Sequence, residues 1–134
     1  MNLLKKFPLS VIWVLFILFM CSVRMSAIPG SGSIHIPNFD KLVHFGFFFV
    51  LSALLFMEGI RQQNVSVSRL TRGMIIFLIA ALYGGGIELL QKWVFTYRSA
   101  EWLDFAADVS GSICSLLLIA VFFSNKKIET ENVR

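Results

Sequence analysis

Charged residues are scarce in this chain, and their scarcity excludes an ordinary soluble domain. Only 15% of its 134 residues are charged, whereas 57% are hydrophobic and 14 are phenylalanine. A water-soluble domain carries about a quarter of its residues as Asp, Glu, Lys and Arg. Because this composition cannot cover the apolar side chains with a polar surface, we expect a single membrane domain over residues 1–134.

Cysteine and histidine are also rare, with two residues of each type. Cys21 and Cys114 lie in different apolar runs at different membrane depths, so their geometry disfavours a disulfide. The chain has no CxxC pair and no Cys/His cluster, which argues against zinc-finger and thiol-redox classes. The net charge of +4 comes from short basic clusters between apolar runs, so we expect a topology signal and no nucleic-acid partner.

Four apolar runs are long enough to cross a bilayer, which takes about 20 residues in a helix. They predict an all-α, four-helix transmembrane bundle with helices at about 9–28, 42–60, 74–95 and 104–123. Helices are expected because lipid offers the backbone no other hydrogen-bond partners. Lys5 and Lys6 before the first run also fit a signal peptide, but Arg24 stands where cleavage needs a small residue. We therefore expect the first run to be retained as a span.

The basic residues are divided unequally between the two sides of the predicted bundle. On the side of the termini are Lys5, Lys6, Arg61, Arg69, Arg72, Lys126, Lys127 and Arg134. On the other side are only Arg24, Lys41, Lys92 and Arg98. The positive-inside rule then places both termini in the cytoplasm.

The polar residues within the predicted helices converge on the face opposite the termini. The second and fourth helices begin at this face, and the third helix ends there. The start of the second helix carries Asp40, Lys41 and His44, and the end of the third carries Glu88 and Gln91. Arg98, Asp104 and Asp108 lie at the start of the fourth. Spacings of three and four residues put each group on one face of its helix. Gly84, Gly111 and Ser115 continue the same stripes, as small residues do at packed helix interfaces. Because a charge at this depth costs a few kcal/mol unless it is paired or hydrated, we expect a polar pocket.

These residue types suit acid–base chemistry and the binding of an anion. We predict His44, Glu88, Asp104 and Asp108 as candidate acid–base groups, and Asp40, Lys41, Gln91 and Arg98 as ligand-binding groups. The competing interpretation is structural, with an interface histidine, a loop salt bridge and interhelical hydrogen bonds. The histidine and carboxylates could supply N and O ligands, but no metal and no other cofactor is predicted.

At these residues the sequence resembles the VanZ-like family of small bacterial membrane proteins. The resemblance is carried by Asp40-Lys41-x-x-His44-Phe45, by Glu88-x-x-Gln91, and by Arg98 followed by Asp104 and Gly111. Asp108 stands where the family usually has Asn, and Ser115 where it often has Gly. The resemblance implies a multi-pass protein of the bacterial cytoplasmic membrane. It also implies a link to teicoplanin resistance, which the family takes from its founding member.

Three functions remain open on the sequence alone. The first is an extracytoplasmic pocket that binds or modifies an anionic lipid headgroup or a lipid-linked envelope precursor. The second is a structural or assembly role, in which the polar network fixes helix packing. The third is a proton-coupled transporter, which would need a homodimer because four helices seldom enclose a pathway. No serine or cysteine nucleophile lies within the motifs, so whether the protein is an enzyme stays open.

Overall fold

The computed structural model describes residues 3–22, 38–62, 67–94 and 101–132, with side chains for residues 5–22, 38–62, 67–94 and 101–124. This part of the chain is entirely helical and contains no strand, which confirms the all-α prediction for it. Its five helices are α1 (Leu3–Lys6), α2 (Pro8–Ser22), α3 (Phe39–Arg61), α4 (Arg69–Trp93) and α5 (Trp102–Asn132).

Three of the described helices are long and apolar enough to cross a bilayer. They are α3, α4 and the segment Trp102–Ser124 of α5, while α2 is apolar but has 15 described residues. Only 22% of the α4 span is buried, and its outward side chains are large and apolar. An apolar surface of this extent suits lipid rather than water, as expected of a multi-pass membrane protein.

Two helix ends differ from the predicted ones: the start of α4 and the end of α5. The third helix was predicted to begin at residue 74, because the basic segment before it reads as a linker. The structure begins α4 at Arg69, since the Ser68 hydroxyl caps it by accepting the Thr71 N–H at 3.1 Å. At the other end of the chain, α5 continues to Asn132, beyond the predicted end at residue 123. Residues 23–28 and 95, which complete two predicted helices, lie outside the described residues.

The pair α3 and α5 forms the most extensive helix contact of the described bundle. Gly111 makes this approach possible, because a Cβ there would lie 2.2 Å from the backbone oxygen of Phe45. Close beneath it, the buried hydroxyls of Ser52 and Ser112 are 2.7 Å apart and share a hydrogen bond. Small residues on α5 therefore let two backbones meet, as the sequence stripe predicts.

Helix α2 packs against α3 and α4 through side chains that donate to backbone carbonyls. The Trp13 indole donates to the Phe47 carbonyl at 3.0 Å, and the Tyr83 hydroxyl donates to the Val14 carbonyl at 2.6 Å. Ile17 of α2 is completely buried in the hydrophobic core that these helices share. The first predicted helix thus belongs to the bundle, although its packing is less extensive than that of α3 on α5.

Glu58 of α3 caps the amino end of α2. Its two carboxylate oxygens accept the backbone N–H groups of Leu9 at 2.9 Å and Ser10 at 3.1 Å, and the Ser10 hydroxyl adds a third bond. These N–H groups belong to the first turn of α2, where no helical carbonyl can accept them. The carboxylate also lies favourably against the positive end of the helix dipole. This buried acid is thereby satisfied without a basic partner among the described residues.

Candidate functional site

Seven ionisable side chains from three parts of the chain meet at the end of the bundle where α3 and α5 begin and α4 ends. We call this group the polar cluster; its members are Asp40, Lys41, His44, Glu88, Glu101, Asp104 and Asp108. About 21 Å of helix separates its histidine from Glu58 at the opposite end, at a rise of about 1.5 Å per residue.

A buried histidine–aspartate pair lies at the centre of the polar cluster. His44 Nδ1 and Asp108 Oδ1 are 2.9 Å apart, and the two side chains are 2% and 0% exposed. Glycine at position 84 makes room for the aspartate, because a Cβ there would lie 2.8 Å from Asp108 Oδ2. The small residues of the α4 stripe therefore accommodate a carboxylate between α4 and α5.

Lys41 holds together two carboxylates at the outer part of the polar cluster. Its ammonium donates to Glu101 Oε2 at 2.8 Å and to Asp104 Oδ1 at 3.3 Å. Exposure falls steeply from the outside inwards, from 47% for the Glu101 side chain and 24% for Lys41 to 3% for Asp104. The polar cluster therefore continues from the bundle surface to the fully buried Asp108.

Glu88 links α4 to the segment before α5. Its Oε2 accepts the backbone N–H of Glu101 at 3.0 Å, whereas its Oε1 is buried without a hydrogen-bond partner. Asp108 Oδ2 is likewise buried and has no partner. Two carboxylate oxygens within one cluster therefore face no donor among the described residues, although buried oxygens are nearly always satisfied.

The other predicted site residues occupy three different situations. A carboxylate oxygen of Asp40 lies within 4.8 Å of a ring nitrogen of His44 and of a carboxylate oxygen of Asp104, so Asp40 belongs to the polar cluster. Gln91 instead faces α2, where its amide donates to the Cys21 carbonyl at 3.3 Å. Arg98 lies outside the described residues.

Two sets of nitrogen and oxygen atoms in the polar cluster have the composition of metal ligands. One set comes from Asp40, His44 and Asp104, and the other from His44, Glu88 and Asp108. Within each set, one ligand atom from every residue lies within 4.8 Å of the others. Imidazole and carboxylate groups are the usual ligands of divalent transition metals.

Sequence reasoning missed Glu101 and Glu58. Glu101 stands directly before α5 and three residues ahead of Asp104, a position where an acid commonly lies at a helix start. Glu58 lies inside an apolar run, and its depth alone could have marked it as a residue that needs a buried partner. Neither residue forms a motif with its sequence neighbours, so the pattern analysis passed over both.

The fold and the polar cluster together define a small multi-pass membrane protein with an ionisable site at one end of its bundle. No protein-family model matches the chain, and no solved structure matches it with significance. An uncharacterized protein of the fission yeast Schizosaccharomyces pombe is 26% identical to it over 122 residues, which cover 90% of this chain and 68% of that protein. A similar sequence therefore occurs in a eukaryote.

Proposed function

We propose that this chain is a VanZ-like membrane protein whose polar cluster binds the headgroup of a lipid or of a lipid-linked envelope precursor. The resemblance rests on the motif residues, and the described ionisable ones among them meet in the polar cluster: Asp40, Lys41, His44, Glu88 and Asp104. Residence in a bacterial cytoplasmic membrane and a link to teicoplanin resistance are proposals that rest on this resemblance. The fission-yeast relative supports neither of them.

One observation supports a binding site over a purely structural network. Glu88 Oε1 and Asp108 Oδ2 are buried in the polar cluster, where no described residue donates a hydrogen bond to them. An unsatisfied buried polar group costs about 1–3 kcal/mol, and more when it is charged. A network whose only purpose is packing gains nothing from carrying that cost at two oxygens of one cluster. The unsatisfied oxygens support a ligand that completes them.

The structural alternative has its own support at the other end of the bundle. There the Glu58 carboxylate accepts three hydrogen bonds from Leu9 and Ser10. This arrangement has the complete satisfaction that a packing network requires. Glu58 therefore serves as the internal comparison for a carboxylate that acts through structure.

The functional test replaces single residues of the polar cluster while keeping their shape. We expect Glu88→Gln and His44→Gln to fold and reach the membrane at near-native levels, because amides keep the hydrogen-bonding capacity. Both should lose bound lipid, measured by native mass spectrometry of protein purified in mild detergent from total lipid extract. Glu58→Gln is the matched control, and it should lose thermal stability while keeping its lipid.

The structural alternative predicts a different pattern in the same samples. If the Glu88 and His44 variants lose stability as much as the Glu58 variant does, and lose lipid only in proportion, the polar cluster holds helices together. The lipid-site proposal would then be wrong.

We also propose four spans with both termini in the cytoplasm, which places the polar cluster at the extracytoplasmic face. The support is the excess of basic residues on the side of the termini. In a variant without Cys21 and Cys114, cysteine introduced at Ser33 should react with a membrane-impermeant thiol reagent in intact cells. Cysteine introduced at Ser68 should be protected, and reversed labelling would overturn the orientation.

A further inference from the structure

The charges of the polar cluster do not balance. Among the described residues its five carboxylates face one lysine and one histidine, and Lys41 is already bound by Glu101 and Asp104. The inner part, formed by His44, Glu88 and Asp108, contains two acids and no lysine or arginine. Carboxylates this close repel one another unless one of them is protonated or a cation lies between them.

Two of the four buried side-chain atoms that lack a hydrogen-bond partner among the described residues belong to this inner part; the other two, Gln91 Oε1 and Ser115 Oγ, lie outside the polar cluster. Asp108 is fully buried and uses only Oδ1 towards His44, so that Oδ2 is left without a donor. Glu88 uses only Oε2 towards the backbone of Glu101, so that Oε1 is left in the same condition. Each acid thus keeps one oxygen for an acceptor role that no described residue completes.

We infer that His44, Glu88 and Asp108 form a binding site for a divalent transition-metal ion such as Zn²⁺ or Mn²⁺. One nitrogen and two carboxylate groups match the ligands that these ions accept. Ligand atoms around a tetrahedral ion at about 2.1 Å lie roughly 3.4 Å from one another. One ligand atom from each of the three residues lies within 4.8 Å of the others, so an ion would draw them together by at most about 1.4 Å.

Outside this triad, other groups are placed to support the ion. Asp40 and Asp104 lie within 4.8 Å of the same histidine and add negative charge beside it. Lys41 links the buried Asp104 to Glu101 at the surface. The role of this ion rests on the proposed function: the ion would bind the phosphate or carboxylate of a lipid headgroup. Lys41 is poorly placed for that role, because it already binds Glu101 and Asp104.

The test is direct metal binding to the full-length protein. Tag-free protein in detergent is stripped with EDTA, exchanged into chelator-free buffer, and titrated with ZnCl₂ and separately with MnCl₂ by calorimetry. We expect one ion per chain for at least one of the two metals. Glu88→Gln and Asp108→Asn should each weaken binding by roughly a hundredfold or more, because each removes a ligand rather than a supporting group. Glu58→Gln should bind as the wild type does.

Cobalt gives a second, spectroscopic readout that reports on the ligands of the ion. Co²⁺ in the wild-type site should show visible ligand-field bands that the Glu88 variant lacks. Circular dichroism and gel filtration identify a variant that has failed to fold; should Asp108→Asn fail, the partly exposed Glu88 still decides the question. Wild-type protein that binds neither Zn²⁺ nor Mn²⁺, or variants of Glu88 and Asp108 that bind as well as the Glu58 variant, would overturn the site.

Lipid measurements on the same samples separate the two proposals. Lipid that stays bound after EDTA treatment, together with no metal binding, would overturn the metal site and leave the lipid site standing. Metal binding that depends on Glu88 in a protein that retains no lipid would support the metal site and overturn the lipid proposal.

Discussion

Replacing Gly111 by alanine should force α3 and α5 apart. The added Cβ would lie 2.2 Å from the Phe45 carbonyl oxygen, whereas ordinary contact begins at 3.4 Å. The obstacle is backbone and cannot rotate away, so the helices must separate by at least about 1 Å. Overpacking of this kind costs about 1–3 kcal/mol. The neighbouring bond between Ser52 and Ser112, 2.7 Å long, would break as well and add about 1–3 kcal/mol.

The measurement is thermal unfolding of purified protein in detergent, followed by tryptophan fluorescence. Gly46→Ala is the matched control, because an ideal Cβ at Gly46 has no atom within 4 Å. That variant should gain about 0.5–1 kcal/mol from helix propensity. A Gly111→Ala protein as stable as Gly46→Ala would refute the close packing of α3 on α5.

Two further predictions concern hydrogen bonds within the bundle. Ser52→Ala and Ser112→Ala should each lower the free energy of unfolding by about 1–3 kcal/mol, because each strands a buried hydroxyl. The double variant should cost less than the sum, and additive losses in a thermal double-mutant cycle would contradict the shared bond. Trp13→Phe should cost about 1 kcal/mol by removing the indole N–H that the Phe47 carbonyl accepts at 3.0 Å, and an unchanged midpoint would disprove that bond.

The spacing of small and polar residues was sufficient to predict the buried face of α5. The stripe of Asp104, Asp108, Gly111 and Ser115 was expected to pack against other helices, and all four residues are buried. The reason is that small and polar residues recurring every three or four positions face a neighbour, while leucine and isoleucine face lipid. The spacing within one helix depends only on positions close together in the chain, so it can be read from the sequence.

Pairing within the site could not be predicted in the same way. The spacing of residues does not identify the acids that Lys41 contacts, which are Asp104 and the unforeseen Glu101. The acid that a lysine contacts depends on the rotation of each helix about its axis and on the residue at which α5 begins. Residue spacing determines neither of these. Glu58 was missed because its partners are backbone N–H groups of α2, which have no sequence signature.

The capping of α2 by Glu58 has a consequence for the order in which the bundle is assembled. A chain emerging from the ribosome presents α2 long before α3, and its first-turn N–H groups then have no acceptor from the rest of the protein. When α3 follows, Glu58 enters the bilayer at a lower free-energy cost if it binds the amino end of α2. The two helices are therefore expected to insert as one antiparallel hairpin. Deletion of α2 should then impair the membrane integration of α3 itself.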